Sequence, residues 1–498
     1  MKRIAFAVLL IASMWTQSSA QISYTSFDDG YYLRSRVDTE IEMPNPTSSY
    51  LSVRLRTFSS GFAGLIPDYQ TDLFCNPAVG IPDSSRADVF GDFGSVNDDA
   101  HFTLGSTVRI PSGTLSASAL FTHLDRNDQS RSDVRSYPLY YEWDAYSSLH
   151  KTISEEVGGR LASSFPLEEG ASLGASYEFV RSTNQRTFDN SRISITPTST
   201  ATMFSGNTAS LRSLTHTLRL GYILPVGESR ILLSGAGVFS VGHADATYWN
   251  TQNSASYYSI NNSAEPQELA TRAVYIAAIL ESRPDEKSTI RYAINLGLTS
   301  FSAPSFSSFS NADSGYSSMS WQKIETSSSF EGSVTDLRAG VGYQRRLGGG
   351  FTGFVAASLG HLSNSGSGIT RIQRTLISVP PPGSSGTGSG SATDGAYTLW
   401  DVRVPIGAEM EFSEYFTLRG GIEPRYRSAR GTFSSDVSEL GSTWMSDVRS
   451  HENVLHRLTF ASQFGIAARH EDYGEISILF GRMIEDTGYW TFFARYFL

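Results

Sequence analysis

The chain has 498 residues, with 39 basic and 49 acidic side chains for a net charge of −10, a single cysteine, 44 glycines and 12% aromatic residues. Charged residues make up only 18% of it, below the roughly 25% of an ordinary soluble protein, and the acidic balance leaves no basic stripe for a phosphate backbone, which argues against nucleic acid as a partner. One cysteine excludes a disulfide scaffold and any multi-cysteine zinc site.

Residues 1–20 have the pattern of a signal peptide. Lys2 and Arg3 form a positive start, residues 4–15 are apolar but too short to span a bilayer, and Ser18, Ser19 and Ala20 offer a cleavage site before Gln21. The segment 21–85 that follows shows no strand rhythm. It carries Pro44 and Pro46, two glycines at Gly61 and Gly64, and the run Leu73-Phe74-Cys75-Asn76-Pro77-Ala78-Val79-Gly80. Pro77 fixes one backbone angle and Asn76 favours a cap or turn, which suits either a compact plug-like segment or a plain proline turn into the first strand. Cys75 reads as a small buried apolar residue.

From about residue 86 onward, side chains alternate with period two, the signature of strands with one oily and one wet face. Residues 173–179, 214–224 and 337–343 show it, and residues 288–298 set Ile290, Tyr292, Ile294, Leu296 and Leu298 against Thr289, Arg291, Ala293, Asn295 and Gly297. In residues 400–412, Trp400, Val402, Val404, Ile406, Ala408, Met410 and Phe412 oppose Asp401, Arg403, Pro405, Gly407, Glu409 and Glu411. Residues 416–426 repeat the split. Residues 269–280 and 351–359 alternate poorly and are assigned as strands from their neighbours.

Short turns rich in Gly, Pro and acidic residues fall near residues 112, 169, 227, 285, 349, 413 and 471, so they recur every 57 to 64 residues. Each interval holds two strands and one long Ser/Gly/Asn/Thr-rich connection, such as 181–210, 243–267, 302–329, 363–393 and 428–453. Tight turns at one end and long connections at the other are the layout of a transmembrane antiparallel β-barrel. Strands on either side of these turns number about 16, or 14 if residues 88–110 lie outside the wall. The expected organisation is a signal peptide (1–20), an N-terminal plug-like segment (21–85) and an all-β transmembrane barrel (86–498).

Catalytic signatures are scarce, and no enzyme activity, metal or cofactor is expected. His451 and His456 approach a zinc-protease spacing but stand five residues apart on a predicted strand, which points them to opposite faces. If the apolar faces meet outer-membrane lipid, Arg403, Glu409, Arg419, Glu423, Arg425, Arg457 and Gln463 project into the lumen. There they either favour anionic solutes or pair with one another and with the plug.

Two resemblances add to this reading. Residues 488–498 place Trp490, Phe492, Ala494, Tyr496 and Leu498 on one face. This resembles the closing strand of outer-membrane barrels, which implies recognition by the barrel-assembly machinery, although Leu498 stands where an aromatic is usual. The Phe74-Cys75-Asn76-Pro77-Ala78 run resembles the apolar-Phe-x-Asn-Pro-Ala segment in the N-terminal plug of the long-chain fatty-acid outer-membrane transporter family, with Val79 in place of that family's glycine. That resemblance implies a blocked lumen, hydrophobic or amphipathic small-molecule substrates that leave sideways through the wall, and roles for Phe74, Asn76, Pro77 and Ala78 in the plug. A general polar porin and a structural or adhesive surface barrel are the alternatives.

Overall fold

The computed structural model describes residues 22–25, 52–56, 58, 60–80 and 87–497, apart from 97–98, 137–141, 197–198, 255–256, 315–318, 380–383, 441–448, 471–473 and 482–489. Residues 1–20, and with them the signal-peptide reading, lie outside the described residues. Strands dominate. After β1 (Ile22–Thr25) come two short helices, α1 (Val53–Arg56) and α2 (Tyr69–Cys75), with a 3-10 turn at Ser60–Phe62 between them, and then strands from β2 (Ala87–Val96) to β18 (Trp490–Phe497), interrupted among the described residues by one 3-10 turn at Glu168–Gly170.

The pairing is antiparallel between sequence neighbours, the arrangement that hairpins impose. β9 (Tyr257–Asp285) pairs with β10 (Ser288–Ser314), and the last strand, β18, pairs with β2, setting Phe492 opposite Phe93. β13 (Ser384–Arg403) and β14 (Ile406–Glu411) both lie between β12 (Phe351–Val379) and β15 (Phe416–Leu440), so they are one pass interrupted at Val404 and Pro405. Proline has no N–H for the ladder, yet its carbonyl still accepts from the amide of Ala356 at 2.9 Å. Counted this way, the described residues make 16 passes of a barrel-like sheet that includes β2 and β3 (Asp99–Ile110). β1 lies antiparallel to residues 455–458 of β16 (Arg449–His470).

The short turns sit where the glycines predict. Gly227, Gly348, Gly349 and Gly350 have positive φ, which a residue without a Cβ adopts at no steric cost. The turn at 471–473 lies outside the described residues.

The long connections differ from expectation. Residues 181–210 do not form one loop; β6 (Ser172–Thr196) and β7 (Ser199–Val226) run through them to a junction at 197–198. The same holds for 243–267, 302–329 and 363–393, and β11 (Met319–Gly348) reaches 30 residues. A transmembrane strand needs only about 9–11. Beyond that height both faces of a strand meet water, so the oily/wet alternation fades from the sequence while backbone pairing continues.

One face of the sheet is apolar and exposed. Leu161, Leu218, Leu220, Ile276 and Phe460 are among the large side chains left 54–60% exposed. They share parity with Tyr292, Ile294, Trp400 and Ile406, and they lie within about a dozen residues of the short turns. A belt of this kind on a water-facing surface would be a severe aggregation liability. The other face buries Asp88, Arg160, Arg219, Glu281, Arg291, Asp401, Arg403 and Arg419. We call these the outer and inner faces. No described helix is long and apolar enough to cross a membrane.

Candidate functional site

Residues 52–80 pack on the inner face and define the site. Asp68 caps the N-terminus of α2, its carboxylate accepting from the Thr71 amide at 3.0 Å. At the other end, the Asn76 amide donates to the Asp72 carbonyl at 2.8 Å. Two further C-terminal carbonyls take arginines from the wall. Arg160 of β5 (Glu142–Pro166) donates to Leu73 O at 2.8 Å and Arg219 of β7 to Phe74 O at 3.2 Å. Cations at a helix C-terminus satisfy its orphan carbonyls and its dipole together.

The sequence run around Asn76 lies against these strands. Phe74 is buried, with the Arg160 guanidinium 4.7 Å from its ring centroid and the Phe90 ring edge-on at 6.0 Å. Asn76 Oδ1 accepts the Ala78 amide at 3.0 Å while its Nδ2 donates to the Leu233 carbonyl at 3.1 Å. Ala78 O accepts from the Ser172 hydroxyl at 2.9 Å, and the Val79 amide closes a turn onto Asn76 O at 3.0 Å, with Pro77 in the position where its fixed angle suits a turn. Cys75 is buried. Glycines let the wall come this close: a Cβ on Gly174 would overlap the Pro77 carbonyl, and one on Gly221 would overlap Asn76 Oδ1. Gly342 and Gly421 give the same clearance to the backbones of Leu65 and Phe58.

The same segment carries an apolar cluster. Leu55, Phe58, Phe62, Leu65 and Ile66 are buried with Phe354 and Ala356 of β12, and the Phe58 and Phe354 rings are 4.7 Å apart. Ion pairs surround this dry patch. Arg291 of β10, fully buried, donates from Nη1 to Asp72 Oδ1 at 2.9 Å and from Nη2 to Asp72 Oδ2 at 2.7 Å, while its Nε and Nη2 reach Glu281 Oε2 at 2.9 and 2.7 Å. Glu281 also takes Arg230 bidentately, at 3.0 Å to each oxygen. Arg54 of α1 bonds Glu409 at 3.1 Å.

The charged side chains selected from the sequence fall as follows. Glu409 receives Arg419 Nε at 3.0 Å, and Arg419 continues to Glu475 at 2.7 Å and the Ser477 hydroxyl at 3.1 Å. Glu423 accepts the Gly61 amide at 3.0 Å and lies 3.9 Å from Arg403. Asp401 gathers Arg403 at 2.8 Å, Arg425 at 2.7 and 3.0 Å, and Arg427 at 3.7 Å. Gln463 is partly buried on β16; the Arg457 side chain lies outside the described residues, and its backbone pairs with Arg427.

Sequence reading missed Arg291, Glu281, Asp72, Arg160 and Arg219. The available signal was the recurrence of an arginine at an inward position a few residues above a short turn, at Arg160, Arg219 and Arg291.

The chain matches no known family profile and no curated protein. Among solved structures, it is weakly similar to the CymD monoaromatic hydrocarbon channel, at 10% identity over 84% of this chain and 98% of that one, with a TM-score of 0.29. Similarity to the Pseudomonas putida toluene transporter TodX is 11% over 82% and 97%, TM-score 0.32. The ferric-catecholate import receptor Fiu from E. coli K12 matches at 8% over 84% and 82%, TM-score 0.25.

Proposed function

We propose that this protein is a bacterial outer-membrane β-barrel whose residues 21–85, removed from the signal peptide, act as a lumenal plug, and that it passes small hydrophobic or amphipathic molecules. The observation that carries this reading is the seat of residues 52–80. They bond or pack against β5, β7, β10, β12, β14 and β15 at once, which a segment hanging below a barrel would not do. The exposed apolar belt supports a lipid-facing outer side, since strands can cross hydrocarbon only with every backbone group paired. The pairing of β18 with β2 supports a closed wall at the last seam.

The inner charges favour this over a polar porin. A porin selects ions with pore-lining charges presented to solvent, whereas Arg403, Arg425 and Arg419 spend their donors on Asp401, Glu409 and Glu475. The Asn76-Pro77-Ala78 turn, tied to β6 and β8, is the part of the plug whose displacement opens a path.

The test is conductance in planar bilayers. Intact protein should pass little steady current, and removal of residues 22–83 should leave a large open pore, because a barrel of this strand number encloses a channel when empty. Open-porin current from the intact protein ends the plug reading. Release of the exported protein as a soluble periplasmic species ends the membrane reading.

A further inference from the structure

On the outer face, near the top of the apolar belt, β8 (Ser229–Ser254) carries glycine at two successive outward positions. Gly237 lies between Leu218 of β7 and Val274 of β9, and Gly235 between Leu220 and Ile276. The four flanking side chains are 56–59% exposed, and nothing stands within 4 Å of where a Cβ on Gly237 would be. The result is a slot one residue wide with a backbone floor and aliphatic walls. It opens upward into a groove of about 660 Å³ bordered by Tyr177, His216, Phe239, Arg272 and Leu298.

The upper end of the groove is basic. Arg272 is the cross-strand partner of Phe239, and its guanidinium carbon sits 6.0 Å from the ring centroid. Further up, Arg212 lies opposite His243, and Arg181 of β6 lies opposite Leu214, the outward residue just below Arg212. All three arginines are exposed. The three arginines occupy the rungs nearest the groove; among the described residues of β6 to β9, carboxylates share the outward parity only from Arg212's rung upward, at Glu268, the cross-strand partner of His243, and beyond it at Asp245 and Asp189. An arginine is costly in mid-membrane and tolerated at the interface, so this row marks the height at which acyl chains give way to headgroups.

We propose that the groove binds a lipid of the outer leaflet that bears more than one phosphate, one acyl chain lying along Gly235 and Gly237, one phosphate meeting Arg272 on β9 and another meeting Arg212 and Arg181 on β7 and β6. Charge complementarity selects this occupant. The planar guanidinium matches phosphate oxygens bidentately, and the glycine slot accepts a narrow, flexible hydrocarbon that a protein side chain surface would not fill. The inference rests on the membrane reading above.

Purified full-length protein in mild detergent is given diphosphorylated lipid A, the same lipid after phosphatase treatment, or phosphatidylcholine, and retained lipid is counted by native mass spectrometry. One diphosphorylated lipid per barrel should be retained, with about tenfold weaker retention after dephosphorylation, equivalent to about 1.4 kcal/mol. The triple variant Arg181→Ala, Arg212→Ala, Arg272→Ala should lose retention to a similar degree. Gly237→Phe, or Gly237→Leu if the larger side chain hinders assembly, should lose it with the arginines intact. Equal retention of the dephosphorylated lipid, retention unchanged in both variants, or adhesion of phosphatidylcholine to the same extent would overturn the proposal. Each protein is also run unheated and boiled: protein that shows the mobility shift of a barrel but holds no lipid overturns this inference alone, whereas absence of the shift overturns the membrane reading itself.

Discussion

Arg291 grips both carboxylate oxygens of Asp72, at 2.9 and 2.7 Å, across 219 residues of chain. The bidentate pair joins the N-terminal segment to the wall at a point from which water is excluded. Two ions in such a place are costly to desolvate, and what holds them is that every partner is supplied: Glu281 takes the other edge of the guanidinium and Ile66 O a further N–H at 3.1 Å. Breaking a buried pair on one side leaves a bare charge, at a cost of roughly 3–5 kcal/mol.

Arg291→Met should therefore loosen the segment more than Asp72→Asn. The methionine takes the guanidinium from Asp72 and leaves Glu281 to Arg230 and Arg283 alone, whereas the amide still accepts from Arg291 and keeps the Arg291–Glu281 pair. If residues 21–85 plug the lumen, Arg291→Met should give frequent large openings in planar bilayers, and Asp72→Asn should give fewer. Identical quiet traces for both would mean the pair does not hold the lumen shut.

The wall glycines make a separate prediction. Gly221→Ala places a methyl on Asn76 Oδ1 and Gly174→Ala one on the Pro77 carbonyl, so each should push the Asn76–Ala78 turn off its seat. Displacing it orphans the Asn76 amide and Ser172 hydroxyl contacts, worth about 1–3 kcal/mol for each buried group left unmet. Protease cleavage within residues 76–80 should rise in both variants. Gly237→Ala, whose new methyl meets nothing within 4 Å, should match the parent, and a parent-like cleavage rate in Gly221→Ala would contradict the close contact.

Asp401 neutralises an arginine cluster, with Arg403, Arg425 and Arg427 within 2.7 to 3.7 Å of its oxygens. In protein lacking residues 22–83, Asp401→Asn removes one negative charge from the pore wall and frees guanidinium donors. Its reversal potential in a salt gradient should shift toward anion preference, and Arg425→Gln should shift it toward cations. Equal selectivity in all three would place the cluster away from the ion path.

The pairing of β18 with β2 supplies a further test. β18 pairs through Tyr496 with Val89 of β2 and with Gly474 of β17 (Gly474–Gly481). Deleting residues 496–498 shortens both ladders and exposes sheet edge, which cannot be left in hydrocarbon. The truncated chain should fail to reach the outer membrane and be degraded in the periplasm; normal surface labelling would show that these residues are dispensable for assembly. The side chains of Tyr496 and Phe497 lie outside the described residues, so the prediction stands on backbone pairing.

Uptake offers a functional comparison between the two inner regions. Asn76→Ala with Pro77→Ala removes the Leu233 and Ala78 bonds of the turn, and transport of a hydrophobic solute should fall further than with Arg403→Gln. The reverse order would favour the polar porin.

The sequence by itself determined the faces. Trp400 and Asp401 differ in chemistry, a strand sends neighbours to opposite sides, and so the exposed tryptophan and the buried aspartate were legible before any coordinates. Turn spacing likewise revealed the short ends of the hairpins, because glycine at positive φ is a local requirement. The extended upper hairpins were not legible, since strands wet on both sides lose the alternation that marks them. Nor could the sequence pair Asp72 with Arg291, bring three arginines to Asp401, or aim Arg160 and Arg219 at the end of α2. Those contacts are set by register and by the seating of residues 52–80 against many strands at once, and a local pattern contains no record of which distant carboxylate a buried guanidinium will meet. The outer groove shows the same division: Gly235, Gly237 and Arg272 are plain in the sequence, but only strand pairing puts Leu218 and Val274 on either side of the glycines and a row of arginines above them.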